Sequence, residues 1–365
     1  MLLLLLMGWG IRQGTNFLKL ELPDFSVALP VLATFGLVLI VMEGALELNL
    51  DKSKIIIVQK ATLGALFSLL LVAGVIAFGF HYYGGYGFRD SLINAIPFGI
   101  ISSAIAIPSV SNLSQFKKEF IVYESSISDV LGVLFFNFIV LNKVIDFGAV
   151  VFFGFEIMVM MVVSIVATFG LSFLLGRIDH PVKFAPLILL VILIYAISEV
   201  FHLPALIFIL IFGLAIGNLH LFEGISWMSH SNSALMSREV EKLKDLTAEG
   251  AFLLRSLFFI LFGYLITTAD IMNTASLGLA AAIVLCILVF RVLQLWISRV
   301  PIFPLLFVTP RGLITILLFM SIAAESRLDI INKSLILQVI VMTAIVMAVG
   351  LIFTPQQKRQ KANEH

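Results

Sequence analysis

The sequence predicts an all-α polytopic membrane protein of about twelve transmembrane helices, on three observations. Hydrophobic residues fill 61% of the 365 positions and charged residues only 12%, about half the charged share of a soluble domain. Apolar runs of about twenty residues recur along the chain, the length a helix needs to cross the hydrocarbon core. The connections between them are short, and the runs are too long and too continuously apolar to be tilted barrel strands.

Taken in order, the spans fall at 1–11, 27–48, 56–80, 91–112, 119–141, 147–176, 184–200, 203–219, 249–267, 273–298, 301–323 and 334–354. The opening MLLLLLMGWGIRQ lacks a basic leader and a small-residue cleavage site, so it reads as an abbreviated first span rather than a signal peptide. The fourth span holds Ser102, Ser103 and Pro108 in the middle of an apolar run. Proline removes a helical donor and frees the carbonyl one turn back, and irregular backbone at that depth must be buried in protein or line a cavity. The eleventh span is interrupted in a comparable way by Pro310, Arg311 and Gly312. Two interrupted spans in separate parts of a chain point to a midplane transport site between inverted repeats.

The chain divides into a first membrane part over 1–219, a linker over 220–248, a second membrane part over 249–354 and a polar tail over 355–365. The linker carries Val240, Leu243 and Leu246 at helical spacing with charges between them, the pattern of an amphipathic helix at the membrane surface. Lysine and arginine number 14 in the connections after even-numbered spans and the tail, against 6 after odd-numbered spans. The positive-inside rule therefore places both termini in the cytoplasm. A net charge of +1 gives no reason to expect a nucleic-acid partner, and the single Cys286 excludes an intramolecular disulfide. The spans hold no H-E-x-x-H or G-x-S-x-G pattern, which speaks against an enzyme, and nothing in the residues calls for a cofactor.

Subtracting those grouped with the connections leaves eight ionisable residues inside spans: Glu43, Glu124, Asp129, Glu156, Glu199, Arg255, Arg291 and Arg311. Each costs roughly 2.5–3.5 kcal/mol near the bilayer centre unless it is paired or faces water, so each is a candidate for function. The three arginines lie in the last four spans and most carboxylates in the first six, which invites ion pairs between the two parts. Arg255, near the start of its span, is expected to snorkel to the interface. Glu43 reads as a second titrating acid or as a helix-packing acid, and Glu156 and Glu199 as cavity or interfacial residues. His180, His202, His220 and His230 fall in connections. In the fifth span Glu124 and Asp129 are five residues apart, so they point about 140° from each other. Ser125 shares the face of Asp129, and Ser128 adjoins it in sequence. A carboxylate beside two hydroxyls is an oxygen-rich site suited to a small hard cation, for which a proton can compete.

Several segments in order resemble the monovalent cation:proton antiporter superfamily, in the branch of the NhaP and sodium/proton exchangers. VMEGALELNL is similar to the FEG-type segment and places Glu43 at its acidic position. SSAIAIP is similar to the interrupted helix, and ESSISDVLGVLFF to the pattern that carries the ion-binding aspartate. RSLFFILFGYLI, LVFRVLQLW and TPRGLITILL resemble the later segments, with Arg291 and Arg311 at family basic positions. The resemblance implies the sodium/proton antiporter fold, with inverted repeats, two crossing broken helices, a core domain and a dimerisation domain. It implies exchange of H+ for Na+, or for Li+ or K+, by alternating access in a homodimer of the cell (inner) membrane. By position Asp129 would bind cation and proton in turn, with Ser125, Ser128, Ser103 and Ser102 supplying further oxygens. Glu124 would pair with Arg291, and Arg311 would balance charge at the second broken helix. Ser128 stands where electroneutral members have asparagine and electrogenic ones aspartate, and the lone carboxylate implies one proton per cation. Potassium efflux on the same fold and a cation channel are the alternatives.

Overall fold

In the structure, a computed structural model, residues 2–19, 28–48, 54–143, 146–177, 184–201, 203, 205–218 and 233–353 are described. They form helices joined by short connections, with no strand among the described residues. The elements are α1 (Leu2–Phe17), α2 (Ala28–Glu47), α3 (Ile55–Gly84), α4 (Phe88–Gly99), α5 (Ser103–Ser109), α6 (Gln115–Leu141) and α7 (Phe147–Arg177). They continue with α8 (Phe184–Val200), α9 (Ala205–Gly217), α10 (Ser233–Leu265), α11 (Thr268–Ile271), α12 (Thr274–Ile297), α13 (Leu313–Ser321) and α14 (Lys333–Ile352). The tail 355–365, residues 220–232 of the linker, Lys52, Lys183 and the four histidines 180, 202, 220 and 230 lie outside the described residues. So does the side chain of Glu199.

Every predicted span has a helical counterpart, but the count of twelve crossings is not reproduced by length and composition. Seven helical stretches among the described residues are long and apolar enough to cross a membrane, with Ile188–Ser198 and Ala205–Gly217 shorter. Breaks account for part of the difference: the nine residues of α13 rise only about 14 Å, less than half the hydrocarbon thickness.

Three boundaries differ from the sequence reading. Helix α1 runs six residues beyond position 11, and two of the added residues, Arg12 and Gln13, bond to the neighbouring chain segment. Arg12 Nη1 donates to the Tyr264 carbonyl at 3.2 Å and Gln13 Nε2 to Thr268 Oγ1 at 3.0 Å. Arg12 thereby satisfies a carbonyl left over at the C-terminus of α10. The second half of the linker and the ninth span form one continuous helix, α10. No proline interrupts it, and its polar N-terminal turns remain helical by packing: Val240 and Leu243 are buried, Leu246 is not. The break in the fourth span falls at 100–102, upstream of Pro108, which stays inside α5.

Small residues let the helices approach. Gly213 and Gly217 of α9 form a G-x-x-x-G face against α2: a Cβ at Gly213 would stand 2.6 Å from the Ala45 Cβ, and one at Gly217 2.7 Å from the Leu46 carbonyl. Close backbone packing of this kind replaces the hydrophobic drive that lipid does not supply. Gly213→Val is therefore expected to destabilise the fold by roughly 1–3 kcal/mol, the usual cost of overpacking. A lowered melting temperature in detergent checks this, and an unchanged one would mean that α2 and α9 are not in register here.

Candidate functional site

The two broken helices meet back to back. The Ser102 amide, at the first break, donates to the Pro310 carbonyl at the second, 2.9 Å away. Each break exposes backbone groups that need partners, and the structure supplies them from the opposite element. At the end of α4 the Pro97 carbonyl accepts from Thr315 Oγ1 at 3.2 Å, and the Phe98 carbonyl from Arg311 Nε at 2.6 Å. Arg311 Nη1 also donates to the Thr309 carbonyl at 3.1 Å, so one fully buried guanidinium closes both breaks. Its charge sits at the carbonyl end of α4, where a cation is favoured. Gly312 permits the crossing: a Cβ there would stand 2.5 Å from Ser102 Oγ.

Helix α6 passes this crossing and adds side chains to it. Ser128 Oγ accepts from the Ile101 amide at 3.0 Å. Asp129 Oδ2 accepts from Ser103 Oγ at 2.5 Å and from the Ser103 amide at 3.3 Å. Asp129 is 3% exposed, yet its other oxygen, Oδ1, has no hydrogen-bond partner. Ser125 Oγ turns back to its own helix and donates to the Ile121 carbonyl at 2.7 Å. Of the predicted oxygen set, then, only Ser103 contacts the carboxylate directly. Ser128 ties down the break, Ser125 bonds along α6, and Ser102 faces Gly312 and Pro310.

On the other side of α6, Glu124 and Arg291 are both fully buried and paired, Arg291 Nη1 to Glu124 Oε1, at 2.5 Å. Gln294 joins them: its Nε2 donates to Glu124 Oε1 at 2.9 Å, and its Oε1 accepts from Arg291 Nη1 at 2.7 Å. Arg291 Nε reaches the Leu305 carbonyl at 3.2 Å, anchoring the segment that leads to the second break. A count of ionisable residues alone passes over Gln294, although its position three after Arg291 puts it on the same helix face.

Arg255 does not snorkel. Its Nη2 donates to Glu43 Oε2 at 2.7 Å, and its Nη1 reaches the Ala104 carbonyl at 3.4 Å. That carbonyl is the one Pro108 leaves without a helical donor, four residues on. The arginine turns inward to where a carboxylate and an orphaned carbonyl converge, both of which accept charge-assisted hydrogen bonds. Glu43 is thus ion-paired, with its side chain 21% exposed. Glu156 is half-buried on α7, away from the broken helices in sequence.

A cavity of about 240 Å³ opens between α2, α6, α8, α9 and α13, with Thr34, Val133, Asn137 and Leu318 among its lining. Val133 and Asn137 follow Asp129 at successive four-residue steps, so the cavity begins about one turn of α6 from the carboxylate.

The sequence matches the family model described as sodium/hydrogen exchanger, transmembrane, over residues 1–358. No curated protein sequence matches it. Two solved structures of the sodium proton antiporter MjNhaP1 from Methanocaldococcus jannaschii share its fold. The structure at pH 8 is 16% identical with a TM-score of 0.62, over 96% of this chain and 94% of that one. The electron-microscopy structure is 18% identical with a TM-score of 0.65, over 96% of this chain and 88% of that one.

Proposed function

Because the chain belongs to the sodium/hydrogen exchanger family, we propose that it exchanges a monovalent cation, sodium in the first place, for H+ at Asp129 by alternating access. One observation carries this choice of residue. Of the three carboxylates Glu43, Glu124 and Asp129, the first two are paired with arginines, and Asp129 has only Ser103 and an unpartnered oxygen among the described residues. A carboxylate already neutralised by a guanidinium has little to offer a cation; one held by neutral donors has a full charge to share. Proton and cation then compete for the same oxygens, and mutual exclusion couples their fluxes. A single free carboxylate favours one proton per cation and no net charge moved.

The crossed breaks give this site two properties it needs. Backbone and Arg311 hold it rigidly, and the cavity beside Val133 supplies an approach from one side. The assembly proposed is a homodimer in the cell (inner) membrane with a cytoplasmic C-terminus, on the family resemblance and the asymmetry of basic residues.

The test is proton efflux from acid-loaded proteoliposomes on addition of sodium, lithium or potassium, with and without an imposed voltage. Cation-triggered alkalinisation that voltage does not alter is the expected result, and the cation giving the lowest KM identifies the substrate. Folded protein that moves no protons in response to any of the three would overturn the proposal.

A further inference from the structure

A second cavity, of about 440 Å³, opens in a crevice with α2 and α10 on one side and α13, the connection over 322–332 and α14 on the other. Its walls include Phe262 of α10, Ile316 and Phe319 of α13 and Ile336 of α14, and every lining residue but three is apolar. The volume falls within the range of ligand pockets, and an apolar chamber takes hydrocarbon rather than water. Met320 lines this cavity and also the one that begins near Val133, so the two adjoin.

The three exceptions are Arg327, Asn332 and Lys333. All are exposed, which places them at the rim. No acid lines the cavity, and neither cation belongs to an ion pair among the described residues. Glu325 and Asp329 flank Arg327 in the chain but are not part of the lining. Lys333 feels the charge of Asp270, a carboxylate already engaged by Thr267 and Ser334. Arg327 is held in position by its Nη2, which donates to the Phe319 and Ile322 carbonyls at 3.4 and 3.1 Å. Those carbonyls are left over at the end of α13, and the other guanidinium nitrogens remain for a further acceptor. Lys333 is the first residue of α14, where backbone amides and the helix dipole favour an anion. Basic residues are scarce on this face: Arg327 and Lys333 are two of the six in connections after odd-numbered spans.

We infer that this cavity binds an anionic phospholipid of the surrounding bilayer, with one acyl chain between α10 and α13 and the phosphate at Arg327 and Lys333. The chain satisfies the apolar walls, and the headgroup supplies the acid that the rim lacks. Guanidinium and phosphate match in geometry as well as charge. A small soluble anion gains nothing from the chamber, and a zwitterionic lipid brings an ammonium group to a rim that already holds two cations.

The experiment places a tryptophan in the chamber wall, Phe262→Trp, and reconstitutes the protein in vesicles of phosphatidylcholine and phosphatidylglycerol. Dibrominated chains are carried on one lipid or the other, and quenching in the wild type is subtracted. Brominated phosphatidylglycerol is expected to quench the new tryptophan at a several-fold lower mole fraction than brominated phosphatidylcholine. Arg327→Gln and Lys333→Gln should each reduce that preference about fivefold, the worth of one cation near an anionic lipid surface, without changing quenching by phosphatidylcholine. If Phe262→Trp does not fold, Leu265→Trp on the same wall replaces it. Equal quenching by the two lipids would reveal ordinary bilayer contact and overturn the inference. So would a preference that survives in the Arg327→Gln/Lys333→Gln double variant, or a tryptophan that neither lipid reaches. None of these outcomes depends on ion exchange, so the transport assay above decides that reading separately.

Discussion

Asp129→Asn is expected to reduce cation-driven proton movement to the level of empty vesicles while leaving the protein folded. The substitution preserves shape, and the amide oxygen can still accept from Ser103 Oγ and the Ser103 amide, the two bonds that hold the wild-type carboxylate. It removes the negative charge and the ability to take up a proton, which are the two things exchange requires of this residue. The new amide nitrogen would replace Oδ1, which has no partner in the wild type. The stability change should stay within about 1–3 kcal/mol, the range for one poorly satisfied polar group. Transport and thermal unfolding measured on the same preparation separate the two effects. Exchange that survives in Asp129→Asn would place the titrating group elsewhere, with Glu43 the next carboxylate to replace.

Arg291→Met is expected to give the largest loss of stability. The methionine fills much of the arginine's volume but strands the Glu124 carboxylate, which has no exposure and loses the guanidinium that neutralises it. Removing one partner of such a pair costs roughly 3–5 kcal/mol, because the charge left behind is uncompensated. Gln294 would remain as a donor to Glu124, and the Leu305 carbonyl would lose Arg291 Nε. The consequence should extend to the second break, since Leu305 precedes residues 308–312 by one short turn. Adding Glu124→Gln removes the stranded charge, so the double variant should be more stable than the sum of the two single losses predicts. Melting curves of the wild type, both single variants and the double variant in detergent supply the cycle. Additive losses would mean that the pair contributes no coupling of its own.

Most of the architecture is legible in the order of the amino acids. Apolar length marks spans because a bilayer leaves the backbone no alternative to a helix, and the twelve runs all correspond to helices. The resemblance leads to the right fold, and the oddities at 102–108 and 310–312 mark both breaks. Less of the site is legible. Proline points to the freed Ala104 carbonyl, yet nothing in the sequence says that Arg255 will claim it, since a span-end arginine has an equally good option in snorkelling. Charge segregation suggests pairs without telling which acid is left out.

Helical membrane spans, two interruptions and membership of the exchanger family follow from the chain's residues alone. That information is local: hydrophobic length, proline and the cost of an intramembrane charge act within a single span. Tertiary packing is what neutralises Glu43 and Glu124, ties Ser128 to the first break, and leaves Asp129 Oδ1 unpartnered. Those outcomes depend on contacts between residues far apart in the chain, such as Glu124 with Arg291 and Ser103 with Asp129. A hydroxyl or carboxylate has several partners of nearly equal merit within reach, and packing of the helices selects among them.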